Sequence, residues 1–197
     1  MKKATEALTP EAIITYPSLF KPESYKLEEP VYKASLLISK DKDITKLSDA
    51  MREAAYLKWP NRDKEFYAKL RKPIRDGDLK AISENGIVDK ESFYFDHYFI
   101  NVKSKYQPQI VNIYNDPITN EDEIYGGCIV KAYLSFYGYD FAGNFGIGAG
   151  LRAICKVRDG EPIGGGKIDT AEVFGDVIQE RKAGFNTSGD MEDDIGW

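Results

Sequence analysis

This sequence predicts a mainly β protein: a closed or half-closed small barrel of short-turned strands with one inserted helix. Three observations lead there. Alternating apolar and polar stretches follow one another from residue 93 to 158 across mostly short turns. Helical spacing before that point is concentrated in one long segment. At 197 residues with 42% hydrophobic content, the chain has material for one full core.

The elements follow in order. "AIITY" at 12–16 reads as a first strand, stopped by Pro17, and a proline-punctuated loop runs to residue 30. "VYKASLLIS" at 31–39 alternates as a second strand. The period then changes. Leu47, Met51, Ala54 and Leu57 recur at helical spacing, with Asp43 or Thr45 available to cap the start. Residues 58–75 carry seven basic and two acidic side chains and have room for a short second helix ended by Pro73. "RDGD" at 75–78 reads as a turn. Strands are expected at 93–105, 128–139 and 146–160. After a glycine run, "DTAEVFGDVIQE" at 169–180 reads as a short helix, with Asp169 and Glu172 spaced as a capping box. The domain is expected to span 1–180, followed by a flexible acidic tail at 181–197.

Composition removes several function classes. The longest apolar runs fall far short of the roughly 20 residues a membrane span needs. The first residues lack the apolar stretch of a signal peptide, so the expected location is the cytoplasm. Two cysteines, Cys128 and Cys155, fit small buried hydrophobes better than a disulfide scaffold. The single histidine, His97, leaves too few ligands for a zinc site, so neither metal nor cofactor is expected. "GIGAG" at 146–150 departs from the dinucleotide fingerprint, and "GEPIGGGK" at 160–167 departs from the P-loop. Those glycines are better read as sheet curvature, a bulge or a close backbone approach. No catalytic arrangement of Ser, Cys, His or carboxylates stands out, and no enzyme activity is expected.

Strand parity separates the faces, because successive side chains point to opposite sides of a sheet. Over 128–139, Cys128, Val130, Ala132, Leu134 and Phe136 form a core face; Lys131, Tyr133, Tyr137 and Tyr139 lie opposite, with Ile129 and Ser135. Over 151–158, Leu151, Ala153, Cys155 and Val157 form the apolar face, and Arg152, Ile154, Lys156 and Arg158 the cationic one. Over 98–103, Tyr98, Ile100 and Val102 point inward, while Phe99, Asn101 and Lys103 point away. Cations beside flat rings are the ingredients of a groove for single-stranded nucleic acid. The expected phosphate contacts are Lys103, Lys131, Arg152 and Lys156; the expected stacking rings are Phe99, Tyr133, Tyr137 and Tyr139. A bulge near Gly138 or Gly148 would invert the parity beyond it.

Several blocks carry a family resemblance: "TYPSLFKP", "YKASLLISK", "IRDGD", "YFINVKSK", "GGCIVKAYLSFYGYD", "GIGAGLRAICKVRDGEPIGGG" and "AEVFGD", in this order. Together they resemble a family of single-stranded DNA-binding proteins from tailed bacteriophages and prophages, formerly catalogued as a domain of unknown function. The likeness covers most of residues 12–180 and is most specific at 126–166; it offers no motif over 58–73. It implies a five-stranded OB-fold barrel with additions, no catalysis, and sequence-tolerant binding of single strands during phage replication or recombination in the host cytoplasm. The other reading is a phage structural or adaptor protein whose exposed aromatics form a protein interface.

The end of the chain, "GDMEDDIGW", extends the resemblance. Single-stranded DNA-binding proteins often finish on an acidic tail tipped by a hydrophobic residue. Asp193, Asp194, Ile195 and Trp197 match that element and imply a ligand for replication or recombination proteins. Residues from about 184 onward are too polar to offset ordering entropy and are expected to be disordered. Further copies of the same chain are possible partners; a membrane is not expected. The net charge of −5 comes from 27 Lys and Arg against 32 Asp and Glu. Without the four tail acids the count is 27 against 28, so the body is nearly neutral.

Overall fold

A computed structural model describes residues 3–24, 29–83, 85–163 and 174. The chain divides into two units, Met1–Gly164 and Gly165–Trp197, and the fold below is that of the first. The helix expected at 169–180 and the tail from 181 lie outside the described residues, apart from Phe174.

The first unit is mainly β. Its elements are β1 (Glu6–Leu8), β2 (Ala12–Glu23), β3 (Val31–Ser39), α1 (Thr45–Lys58), α2 (Lys64–Lys69), β4 (Ile74–Asp76), β5 (His97–Ser104), β6 (Gln109–Val111), β7 (Ile129–Phe141) and β8 (Asn144–Arg158). Pairing runs β7–β2–β3–β5–β8 and returns from β8 to β7, a five-stranded ring with β1 and β6 on its flanks. The ring is tight at the β7–β8 hairpin and loose elsewhere. β2 meets β7 only at Ala12↔Val130 and Ile13↔Ile129, and β5 meets β8 only at Lys103↔Gly150.

Inside the ring, Ile14, Leu36, Ile38, Ile100, Val130, Leu134, Leu151 and Ile154 are fully buried, and α1 joins this core through Leu47, Ala50, Ala54 and Ala55. The small alanines let the helix approach closely. Leu57, expected on this face, is exposed, and Trp59 just beyond the helix is buried in its place. Asp43 accepts the Thr45 N–H at 2.8 Å, and Asp63 caps α2 by accepting the Phe66 N–H at 2.7 Å.

Four expectations need correction. β2 does not stop at Pro17. Tyr16 takes φ of 48° and the register with β3 shifts between Thr15 and Ser18, so the proline falls at an irregularity and the strand resumes. The "RDGD" turn begins later than expected, because Ile74–Asp76 pairs antiparallel with β5. The short β1 and β6, which carry too few residues for a periodic signal, add strands the sequence did not announce.

The fourth correction concerns β8. Tyr133 pairs with Ala153 but Leu134 pairs with Leu151, so Arg152 is an extra, unpaired residue. This bulge flips the parity beyond it. Ile154 is fully buried, whereas Ala153, Cys155 and Val157 are only half-buried. Lys156, expected on the outer cationic face, instead pairs with buried Val130 at one end of the barrel.

Candidate nucleic-acid interface

On the outer surface of the ring, one row of paired residues crosses four strands: Lys33 on β3, Lys103 on β5, Gly150 on β8 and Ser135 on β7. Its Lys33 and Lys103 line a groove of about 1270 Å³. Ser35 and Asn101 sit beside this row, joined by a 2.5 Å hydrogen bond from the Ser35 hydroxyl to the Asn101 carbonyl oxygen. Tyr137, Tyr139 and Phe141 line the β7 side. Their strand ends in the β7–β8 hairpin, where Ala142 and Gly143 both have positive φ.

The hairpin is braced from behind. Phe145 packs edge-on against Trp59 at 6.1 Å and Phe66 at 5.7 Å, and those two rings meet at 5.6 Å. α1 and α2 thus hold the arm that carries the groove tyrosines.

The opposite side is built by residues 70–76, a basic segment that bridges the weak β5–β8 seam. Arg71 donates its N–H to the Phe145 carbonyl, and the Ile147 N–H donates to the Arg71 carbonyl at 2.8 Å. Three residues later the segment, now β4, pairs with β5 through Ile74↔Ile100, Arg75↔Phe99 and Asp76↔Tyr98. Arg71, Lys72 and Arg75 thereby reach the groove, with Lys80 just beyond. Together with Lys33 and Lys103 they make six cations, and no carboxylate lines the groove among the described residues. Such one-signed lining attracts polyanions. Lys33 is paired with Glu23 at 2.8 Å.

Aromatic support underlies these cations. The Arg75 guanidinium lies 4.3 Å over Phe99, and the Lys80 ammonium lies 3.9 Å over Tyr94. Tyr16, on its positive-φ residue, closes the same end at 6.4 Å from Phe93. Burial, and secondarily the neighbouring Tyr139, pushes the Tyr137 phenol above its ordinary pKa.

Of the residues expected from sequence, Lys103, Tyr137 and Tyr139 line this groove. Phe99 does point out of the barrel, but it is buried at 4% exposure in a satellite core with Leu37, Ala81 and Tyr94. The covering segment, residues 77–95, leaves it as a support for cations rather than an open stacking face. Lys131 and Tyr133 share the β7 outer face but lie nearer its start and outside the groove; the Tyr133 hydroxyl donates to Glu6 at 2.9 Å. Arg152 is on the bulge. Lys156 is drawn to Asp159 at 2.7 Å, its side chain only 15% exposed. The sequence reading missed Tyr16, Lys33, Arg71, Lys72, Arg75, Lys80 and Phe141. The excess of seven basic over two acidic residues at 58–75 was the available signal, without a strand to give it a face.

The family described as "Enterobacter phage Enc34, ssDNA-binding protein" matches residues 5–185. The chain belongs to that family. Within curated proteins, it is 29% identical over 174 residues to protein p50 of Acyrthosiphon pisum secondary endosymbiont phage 1, covering 83% of this chain and 89% of p50. The solved structure of the bacteriophage Enc34 protein in complex with ssDNA superposes with a TM-score of 0.66 at 20% identity, covering 82% of this chain and 91% of that one. The ssDNA-binding protein gp2.5 of bacteriophage T7 has the same fold at TM-score 0.55 and 16% identity, covering 85% and 93%. The two solved structures share the OB-like barrel, and both they and the family are single-stranded DNA-binding proteins.

Proposed function

We propose that this protein binds single-stranded DNA with little sequence preference, in the groove between the β7–β8 arm and the 70–76 segment, during phage DNA replication or recombination in the host cytoplasm. The observation that carries this reading is a groove lined, among the described residues, by six cations, tyrosine rings and no carboxylate. Cations take the phosphates, and rings accept any base because every base has a π face. Lys103, Tyr137 and Tyr139 act there with Arg71, Lys72, Arg75 and Lys80. Membership of the Enc34 family and the fold shared with solved single-stranded DNA-binding proteins support the same reading.

The binding domain is assigned to residues 1–180 and a partner-binding tail to 181–197. Asp193, Asp194, Ile195 and Trp197 engage replication or recombination proteins, and the tail acids compete with DNA for the groove cations. Support comes from the concentration of four acids and three apolar side chains, Met191, Ile195 and Trp197, in the last eight residues.

The test is a titration of the full chain with an oligothymidine and with a duplex of equal length, each at low and high salt. The single strand should bind more tightly, with log affinity falling by about 0.7 per phosphate contact per log unit of salt. Equal or tighter duplex binding overturns the proposal.

A further inference from the structure

Tyr137 and Tyr139 are paired across the hairpin with Gly148 and Gly146. A Cβ added at Gly148 would stand 2.5 Å from Cζ of Tyr137 and 2.7 Å from its hydroxyl. One added at Gly146 would stand 2.5 Å from the Tyr139 hydroxyl and 2.6 Å from its Cζ. Both distances are below those real Cβ atoms show. Each phenol therefore occupies the space that any other residue's side chain would fill, lying across the backbone of β8. The obstructing atoms belong to ring ends that can swing away, so an alanine displaces the ring without opening the barrel.

We infer that Gly146 and Gly148 are positioning residues for nucleic acid: they hold Tyr139 and Tyr137 down on β8 as two stacking surfaces one strand repeat apart. This rests on the function proposed above. Side chains two residues apart on a strand are separated by about 6.8 Å. Duplex bases rise by only about 3.4 Å per strand. Two successive bases can meet the two rings only if the strand is extended and its bases unstacked. The glycines therefore fix the form of the ligand as well as the place of the rings: an extended single strand, one base per tyrosine. Adjacent Lys103, opposite Gly150 in the register, stands where such a strand's phosphates would pass.

The experiment is a double-mutant cycle on the full chain, with Tyr137→Ala, Gly148→Ala and both together. Affinity is measured for an oligothymidine and for an abasic oligodeoxynucleotide of equal length, with melting temperature followed in parallel. Tyr137→Ala should weaken oligothymidine binding by about 5- to 140-fold, the range of one lost stacking contact. Gly148→Ala should weaken it comparably, leave the abasic ligand within about twofold, and add nothing in the double variant, because it acts only through the ring. Should Gly148→Ala fail to fold, the double variant, which removes the obstructing ring, should fold; a double variant that also fails would show that the backbone itself needs glycine and would overturn the inference. Unchanged binding by Gly148→Ala beside a weakened Tyr137→Ala overturns it too, while leaving the groove assignment standing. If Tyr137→Ala itself binds normally, the assignment of the groove is wrong and the inference falls with it.

Discussion

Phe99 and Tyr137 look alike in the sequence: both are aromatic and both fall on the outward parity of their strands. The structure separates them. Tyr137 is 43% exposed at the groove, while Phe99 is roofed by residues brought from 77–95. Phe99→Ala should therefore behave as a core truncation and cost about 3–5 kcal/mol of stability, read as a lower denaturation midpoint. A Phe99→Ala variant that melts like the wild type while losing DNA affinity would restore the ring to the binding surface. Parity could report direction because side-chain alternation is a local property. Cover could not be read, since it depends on a segment with no periodic signal. Lys156 failed differently. A single extra residue at Arg152 reversed the faces, and bulges leave little mark in composition.

At the scale of elements, the sequence announced β7 through twelve residues of alternation at 128–139, β8 as a strand at 146–160, and α1 through its spacing. The 70–76 segment was not legible, although its charge was plain. Three residues of β4 carry no period, and their strand character comes from filling the β5–β8 seam. This segment sets a quantitative expectation. Arg71→Ala, Lys72→Ala and Arg75→Ala should each lower the salt slope of oligothymidine binding by about 0.7, whereas Lys131→Ala, outside the groove, should leave it unchanged. Fluorescence anisotropy over a salt series reads this directly, and equal slopes for all four variants would remove the segment from the interface. The end of β4 is anchored by Lys40, which bridges Asp76 at 2.7 Å and Asp78 at 2.6 Å. That Lys40 hydrogen bond, with the Asp96 N–H behind it, holds the Asp78 carboxyl below its ordinary pKa. A depressed carboxylate contributes stability above its unfolded value of about 3.9 and loses it as pH falls through the folded value. Acid should therefore weaken this anchor only below about pH 3.9, and Asp78→Asn should flatten that part of a melting-temperature titration. Wild type and Asp78→Asn falling in parallel through that range would count against the anchor.

For the whole molecule, the central fact is an uneven charge distribution. A chain of net charge −5 presents a groove with six cations and no lining carboxylate among the described residues, and four of its acids fall within Asp190–Asp194. Removing residues 188–197 changes the count from 27 against 32 to 27 against 28. A tethered string has an effective concentration near its own domain on the order of millimolar. In the tail role proposed above its carboxylates compete with phosphates, a contest that salt screens over about 10 Å at 0.1 M. Deleting 188–197 should tighten oligothymidine binding, more at low salt than at high. Trp197→Ala removes no charge and should leave DNA affinity nearly unchanged, yet it should abolish capture of a replication partner, since Trp197 and Ile195 are the only large branched or aromatic side chains after Phe185. The two variants thus separate the electrostatic role from the anchoring one. Identical titrations for full-length and truncated protein at both salt concentrations would eliminate the competition, and a Trp197→Ala protein that still captures the partner would eliminate the anchor.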